Sequence, residues 1–394
     1  MMALLEKVRN FNTAKELQKA GLYSYFRVIE SAQTNLVRID GRDVIMLGSN
    51  NYLGLTNHPK VKEAAKLAID KYGSGCAGSR FLNGTLDIHV ELERKLADLV
   101  GKEDALVFST GMMVNLGVIF ALVGRNDSVI IDRVDHASIL DGCRLSFGTT
   151  RKYLHNDMVA LDKTLAACED NGKLIVVDGI FSMHGDIARL PEICEVAARH
   201  GAMVMCDDAH GIGVLGKQGR GTCDHFGIAD RVHLIMGTFS KSLASVGGFI
   251  ASDADTIHYI RHIARSLIFS ASMPPGSVAS VSAAVDVMLE EDWRREALWR
   301  NTRIMMERLQ NAGFDTGPSQ TPIIPAVVGA DEVAFVMCRR LFEEGVFVNP
   351  IISPAVEKGN ALIRLSLMAT HTEDQVHLAM DKMVEVGREL GVVP

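Results

Sequence analysis

The sequence predicts an α/β protein in which a mainly parallel central sheet is followed by a smaller C-terminal α+β domain. Between about residues 95 and 248, short apolar runs alternate with amphipathic stretches of helical period, the pattern of repeated βα units. The runs are apolar throughout, as strands covered by helices on both faces are. After Met273-Pro274-Pro275-Gly276 the pattern changes to long helices and a few short strands. The chain of 394 residues is long enough for two such domains.

The pattern of residues 1–45 predicts a helix and then a hairpin-like piece, Thr34 to Met46, with its turn at residues 40–43. The large domain spans 46–275, and its predicted strands are residues 105–108, 128–131, 173–177, 202–206 and 232–236. Between them lie helical patterns such as residues 190–198, where Pro191 suits a first turn. The small domain, 276–394, begins with a long helix-like region from about Ser277 to Ala312 and ends with a helix over its last 20 or so residues.

Composition narrows the class of protein. The net charge of −7 and the pI near 6.0 argue against a nucleic-acid surface, which needs a basic excess. Seven scattered cysteines without a CxxC pair favour a reducing compartment. The first residues carry Glu6, Lys7 and Arg9, unlike a signal peptide, and no apolar run approaches the roughly 20 residues that span a bilayer. The sequence therefore predicts a cytoplasmic protein that acts on small molecules.

Polar side chains cluster directly after the predicted strands, where parallel sheets bind their ligands. The groups that follow successive strands are Ser109 to Met112, Asp135 to Ser138, Asp178 to Ser182, Asp207 to His210 and Thr238 to Lys241. A dinucleotide site is the first alternative, because residues 211–216, GIGVLG, match GxGxxG. That motif should open a helix at the strand end, whereas here DDAH intervenes and KQGRG continues as a loop, which argues against it.

Lys241 is the residue that suggests another cofactor. It follows an apolar strand among the hydroxyls of Thr238, Ser240 and Ser242, so burial would lower the pKa of its amine and make it nucleophilic. Pyridoxal phosphate needs such a lysine for a Schiff base, together with an acid for its ring nitrogen and a phosphate cradle. The alternative is an ordinary solvated loop lysine.

Other strand ends could complete such a site. Asp207 is placed to pair with a ring N–H, although a turn or cap aspartate is equally compatible with its spacing. His210 could reach the phenolic oxygen, or it could be a core histidine. Residues 110–112 could offer helix N-terminal N–H groups to phosphate, or simply cap a helix. His136 could stack on the ring, or be structural.

Arg364 lies inside the apolar run 361–367. A guanidinium there either forms an ion pair on an edge strand or clamps a substrate carboxylate with two hydrogen bonds. Spacing alone favours the ion pair.

The motifs together resemble one family over nearly the whole chain. SNNYLGL (49–55), GSRFLNGT (78–85), FSTG (108–111), DHASILDG (135–142), DGIFSMHGD (178–186), DDAHGIGVLG (207–216) and GTFSKS (237–242) are similar to those of the α-oxoamine synthases. These are pyridoxal-phosphate enzymes of fold type I, the aspartate-aminotransferase fold. The stretches AGLYSYFRVIES, GTFSKSLASVGGF, RSLIFSASM and IRLSLMATHT resemble most the bacterial members that use L-serine and a long-chain acyl-CoA.

The resemblance implies a role for each site residue and requires no metal. It makes Lys241 both the Schiff-base lysine and the base that removes the α-proton of serine. It pairs Asp207 with the pyridinium nitrogen, places His210 and Ser182 at the phenolic oxygen, and stacks His136 on the ring beside the serine carboxylate. The phosphate contacts it implies are Gly111, Met112 and Thr238, with Ser272 among residues 270–272 that reach the partner's phosphate. The carboxylate contacts it implies are Asn50 and Arg364.

The reaction implied is a condensation of L-serine with the acyl-CoA that releases CoA and carbon dioxide. The family forms homodimers with each active site at the subunit interface, and peripheral contact with the inner membrane is compatible with the sequence. Sister reactions, glycine with acetyl-CoA or alanine with a pimeloyl thioester, share the cofactor residues and stay open. A catalytically silent subunit is disfavoured by the presence of Lys241. His184 stands where relatives usually carry an acidic residue, and Ala355 replaces a threonine of the alanine-using enzymes.

Overall fold

A seven-stranded sheet forms the centre of the computed structural model, which describes residues 2–394. Its strands are β3 Asp104–Phe108, β4 Asp127–Asp132, β5 Thr149–Tyr153, β6 Gly172–Asp178, β7 Met203–Asp207, β8 Leu234–Thr238 and β9 Gly248–Ser252. Their spatial order is β3-β9-β8-β7-β6-β4-β5, and only β9 runs antiparallel to its neighbours. The α/β fold with a mainly parallel sheet is confirmed.

The five predicted strands all exist, but two further strands escaped prediction. β5 has the polar sequence Thr-Thr-Arg-Lys-Tyr and lies at the edge of the sheet, where most of its side chains are exposed to solvent. An edge strand does not need an apolar run, so the pattern used for the other strands did not detect it. β9 begins at Gly248, close behind the lysine loop, and is only five residues long. The last predicted strand begins at Leu234 rather than at Val232.

Helices cover both faces of this sheet. They are α3 Pro59–Tyr72, α4 Asp87–Val100, α5 Gly111–Leu122, α6 Ala137–Leu145, α7 Met158–Ala166, α8 Leu190–Arg199, α9 Thr222–His225, α10 Ala254–Ile263 and α11 Arg265–Ile268. Alternate strand residues feed two separate cores: Val107 and Ile175 pack on one face, Leu106 and Val176 on the other. Burial on both faces explains why these strands read as continuous apolar runs.

The C-terminal part is a smaller α+β unit around a three-stranded antiparallel sheet. Before it, α12 Pro275–Glu290 packs on α3 and α4 in the core of the large domain. The elements of the C-terminal unit are α13 Trp293–Asn311, β10 Ile323–Gly329, α14 Asp331–Glu343, β11 Val346–Phe347, β12 Asn349–Ile351, β13 Ala361–Ser366 and α15 Glu373–Glu389. The helix-like region predicted from 277 to 312 is divided into two helices, because the chain leaves the helical conformation at Glu291. There Glu291 binds Arg294, whose buried guanidinium also donates to the carbonyl of Leu53. This tertiary anchor outweighs the local helical pattern.

The N-terminal segment has two short helices, α1 Ala3–Arg9 and α2 Thr13–Lys19, where a single helix was predicted. The predicted hairpin is confirmed as β1 Leu36–Ile39 and β2 Arg42–Met46, which pair antiparallel around Asp40 and Gly41. β2 also pairs in parallel with β11, so this hairpin joins the C-terminal part of the chain. The domain limits at 45 and 275 stay predictions. Within residues 2–394, every helix is too short or too polar to cross a bilayer.

Candidate active site

A cavity of about 350 Å³ lies at the carboxyl ends of β6, β7 and β8. It has the size and the mixed lining typical of a small-molecule site. The structure brings eight of the predicted residues to its wall: Gly111, Met112, His136, Ser182, Asp207, His210, Thr238 and Lys241. Asn50, Ser272 and Arg364 were also predicted as site residues but lie outside this wall. Asp178 lines the cavity too and had no role in the prediction.

Lys241 follows β8 directly and turns its amine into the cavity. Burial lowers the pKa of that amine to about 8, although the nearby carboxylates of Asp207 and Asp178 oppose the shift. Among residues 2–394, no carboxylate lies within ion-pair distance of the amine. A lysine with these properties is available as a nucleophile near neutral pH.

Asp207 ends β7 as a buried carboxylate that is 4% exposed. One oxygen accepts the Nδ2–H of Asn115 at 2.7 Å, and the other accepts the backbone N–H of Ala209 at 3.1 Å. Both donors are neutral, and within the described chain no basic side chain forms an ion pair with Asp207. Burying an unpaired carboxylate is costly, so the site suits a cationic N–H such as that of a protonated pyridine ring.

Asn115 was missed by the sequence reading. It is fully buried in α5, and the same Nδ2 that holds Asp207 also donates to the hydroxyl of Ser138 at 2.8 Å. An amide inside the apolar helix GMMVNLGVIFAL was the available signal. Its partner lies 92 residues further along the chain, which no local pattern reveals.

The N-terminus of α5 provides a site for an anion. Thr110 caps the helix by accepting the N–H of Met113 at 3.1 Å, while Gly111 and Met112 lie on the cavity wall in the first turn. A Cβ on Gly111 would lie 2.7 Å from Oγ1 of Thr238, so only glycine lets β8 approach the helix this closely. Hydroxyls of Thr238 and Ser240 lie 3.0 Å apart at the same end. Helix N–H groups and hydroxyls together suit a phosphate.

Two histidines face the cavity from different sides. His136 caps α6, with Nδ1 2.7 Å from the hydroxyl of Ser138 and its backbone N–H donated to Asp178. Burial lowers the pKa of both His136 and His210, so each ring is neutral near pH 7. His210 packs against Tyr52, whose hydroxyl lies 2.7 Å from Nδ1 of the histidine. Tyr52 was not singled out from the sequence.

Arg364 lies beside the cavity, in the middle strand of its sheet and 5% exposed. Its guanidinium donates to three neutral oxygens: the carbonyl of Ser182 at 2.7 Å, the hydroxyl of Ser366 at 2.7 Å and Oδ1 of Asn50 at 3.1 Å. The interpretation as an edge-strand ion pair is therefore wrong, because the strand is central and no carboxylate among the described residues pairs with it. A buried cation with neutral partners suits a ligand carboxylate.

Two sequence features lie away from this cavity. Ser272 donates its N–H to the carbonyl of Gly78 at 2.9 Å, and its hydroxyl packs against Gly84 within the same chain. The GIGVLG motif forms turns that lead into a short 3-10 turn at residues 217–219, not a helix at a strand end. That loop closes around the carboxylate of Asp208, which accepts two hydrogen bonds from Thr222. The motif is therefore structural.

A larger cavity of about 940 Å³ opens next to the first and shares His136 and Ser182 with it. Its wall is apolar at residues such as Leu140 and Phe181 and carries charges of both signs, including Arg133 in an ion pair with Glu357. The two departures from the family pattern, His184 and Ala355, both line it. This cavity can hold a second, larger ligand with apolar and polar parts beside the first.

Comparison with known proteins places this geometry in a family. The family model described as aminotransferase class I and II matches residues 42–383. The chain belongs to this family. The serine palmitoyltransferase of Sphingobacterium spiritivorum is 54% identical over 387 residues, which are 98% of this chain and 97% of that protein. The 8-amino-7-oxononanoate synthase of Thermoanaerobacter pseudethanolicus is 43% identical and covers 96% of each chain.

A solved structure of serine palmitoyltransferase (SPT) with pyridoxal phosphate (PLP) superimposes on this chain with a TM-score of 0.94 at 37% identity, and the match covers 100% of this chain and 98% of that one. Together with the curated relatives, it confirms the predicted resemblance to the α-oxoamine synthases and the predicted fold type.

Proposed function

We propose that the chain is a pyridoxal-phosphate-dependent acyltransferase with serine palmitoyltransferase activity. It condenses L-serine with palmitoyl-CoA and yields 3-ketodihydrosphingosine, CoA and carbon dioxide. The observation that carries this proposal is Lys241, a lysine of lowered pKa that shares one cavity with the buried carboxylate of Asp207. Full-length relatives such as those of Sphingobacterium spiritivorum and Bacteroides ovatus, the latter 52% identical, are serine palmitoyltransferases, which supports the choice of substrates.

The described residues fit the cofactor at three points. Asp207 would hold the ring N–H, since its carboxylate is buried and has only neutral donors. The first turn of α5 and Thr238 would hold the phosphate, in a cradle that a Cβ on Gly111 would fill. Lys241 would link to the aldehyde. When bound there, the cofactor supplies an electron sink for the charge that develops at Cα of the substrate.

The other residues bind and orient the substrates. Arg364 and Asn50 would bind the serine carboxylate. The guanidinium of Arg364 would then exchange a hydrogen bond to a neutral oxygen for a charge-assisted pair with that carboxylate. His136 would stack on the ring and contact the same carboxylate, while Ser182 and His210 would contact the phenolic oxygen. The amine of Lys241 would then remove the α-proton, as its lowered pKa permits. The larger cavity, which meets the smaller one at His136 and Ser182, would bring the thioester to that carbon.

The assembly and location follow from the same proposal. We propose a homodimer with an active site at each interface, in which Ser272 and its neighbours serve the partner's phosphate site. We propose a cytoplasmic location, where acyl-CoA is made and used, with peripheral contact at the inner membrane where the lipid product leaves.

A panel of substrates tests this function. The purified chain is given serine, glycine, alanine or threonine with acetyl-, pimeloyl- or palmitoyl-CoA, and the release of CoA is measured. We expect turnover with serine and palmitoyl-CoA, and none in the Lys241→Ala variant. Turnover of alanine with the pimeloyl thioester instead would favour 8-amino-7-oxononanoate synthase activity, which the 43% identical relative represents. Turnover of glycine with acetyl-CoA would favour glycine C-acetyltransferase activity.

A further inference from the structure

Tyr52 lies in a buried line of polar side chains between Arg364 and His210. It is 1% exposed, and its carbonyl accepts the N–H of Ala369 at 2.7 Å, so the backbone of its loop is held in place. Its hydroxyl lies 2.7 Å from Nδ1 of His210 and 3.4 Å from Oδ1 of Asn50. The same Oδ1 already accepts a hydrogen bond from Arg364 at 3.1 Å. A single hydroxyl proton thus has two competing acceptors.

The chemistry of the donors decides where that proton goes. The guanidinium of Arg364 can only donate hydrogen bonds, so the oxygen of the Asn50 amide, and not its NH2 group, must face it. If His210 carried its proton on Nδ1, the Tyr52 proton would be left with the 3.4 Å contact to an oxygen already in use. If the proton is on Nε2, Tyr52 donates to Nδ1 at 2.7 Å, a full-strength hydrogen bond. The second arrangement gives the hydroxyl proton a strong acceptor and leaves only the Nε2–H of His210 free to donate.

We propose that Tyr52 is a positioning residue that fixes His210 as the tautomer protonated on Nε2. Within residues 2–394, Nε2 of His210 has no hydrogen-bond partner, and the ring lies on the wall of the smaller cavity. Its N–H is therefore a fixed donor to a ligand oxygen. That this oxygen is the phenolic oxygen of pyridoxal phosphate rests on the proposed function, whereas the tautomer itself does not.

The tautomer can be read directly by nuclear magnetic resonance. Protein with bound cofactor and ¹⁵N-labelled histidine gives long-range ¹H–¹⁵N spectra in which protonated and bare ring nitrogens differ. The signals of His210 are those that vanish in His210→Asn. We expect a bare Nδ1 and a protonated Nε2 in the wild type. In Tyr52→Phe, Nδ1 loses its donor, so its signal should shift and the two tautomers should mix.

Tyr153→Phe is the matched control. Tyr153 is also a buried tyrosine, 3% exposed, but its hydroxyl has no hydrogen-bond partner among the described residues. We expect its spectrum and turnover to match the wild type, whereas Tyr52→Phe should lose roughly tenfold in kcat/KM, about the value of one buried hydrogen bond. A protonated Nδ1 in the wild type, or an unchanged His210 signal in Tyr52→Phe, would overturn the proposal. The predicted tautomer in a chain that fails to condense serine would uphold it and remove only the proposed function.

Discussion

The lowered pKa of Lys241 should appear as a low midpoint in the pH dependence of its reactivity. In the cofactor-free protein its pKa is about 8, against 10.5 for an ordinary lysine. At pH 7 roughly one amine in ten is then neutral, compared with about three in ten thousand for an ordinary lysine, which is an advantage of roughly 300-fold. This difference follows mainly from burial, to which the positive charge of Arg364 adds, because the neighbouring carboxylates act in the opposite direction.

Asp207→Asn is the perturbation that tests this cause. Among the groups that raise the pKa of Lys241, the carboxylate of Asp207 is the largest, so its neutralisation should lower the midpoint further. The assay is trace labelling with acetic anhydride from pH 6 to 11, with each lysine quantified by mass spectrometry. Lys60 is an internal control, because its hydrogen bond to Glu290 raises its pKa above the ordinary value. A midpoint for Lys241 near that of exposed lysines, or an upward shift in Asp207→Asn, would refute the reasoning.

Three further predictions concern the surroundings of the site. In steady-state assays, Arg364→Leu should raise KM for serine by roughly 10- to 100-fold, the value of charge-assisted hydrogen bonds, with a smaller effect on kcat. An unchanged KM would contradict the role of Arg364 in binding the serine carboxylate. Burial alone would lower the pKa of His155, but hydrogen bonds to Asp132 and Asp186 raise it to about 9. The protonated His155 therefore contributes about 3 kcal/mol to the free energy of unfolding, which is complete below pH 6.5 and lost as the pH rises through 9. Urea unfolding should show this loss of stability in the wild type and not in His155→Gln. Gly111→Ala should weaken cofactor binding because its Cβ would meet Thr238 at 2.7 Å, and fluorescence titration with an unchanged Kd would contradict this.

Local patterns predicted the parts of the site that lie at strand ends. Asp207, Thr238 and Lys241 follow apolar runs, and the parallel topology carries these runs to a common edge of the sheet. The pattern could not reveal contacts between distant parts of the chain. Tyr52 meets His210 across 158 residues, and Asn115 meets Asp207 across 92.

Arg364 shows why a pattern can favour the wrong partner. A charged residue in an apolar strand most simply predicts an edge position, but the neighbouring strands β10 and β12 enclose it and leave only neutral oxygens beside it. The break between α12 and α13 has a similar origin, since the buried contacts of Arg294 decide it and the residues around Glu291 are all compatible with a helix.

In the proposed reaction, Lys241 drives a decarboxylating condensation of serine with palmitoyl-CoA. The most direct measurement follows carbon dioxide released from serine labelled at its carboxyl carbon, together with free CoA. We expect equal amounts of both products, dependent on palmitoyl-CoA and absent in Lys241→Ala. Labelled carbon dioxide without CoA, CoA without carbon dioxide, or full turnover by Lys241→Ala would contradict it.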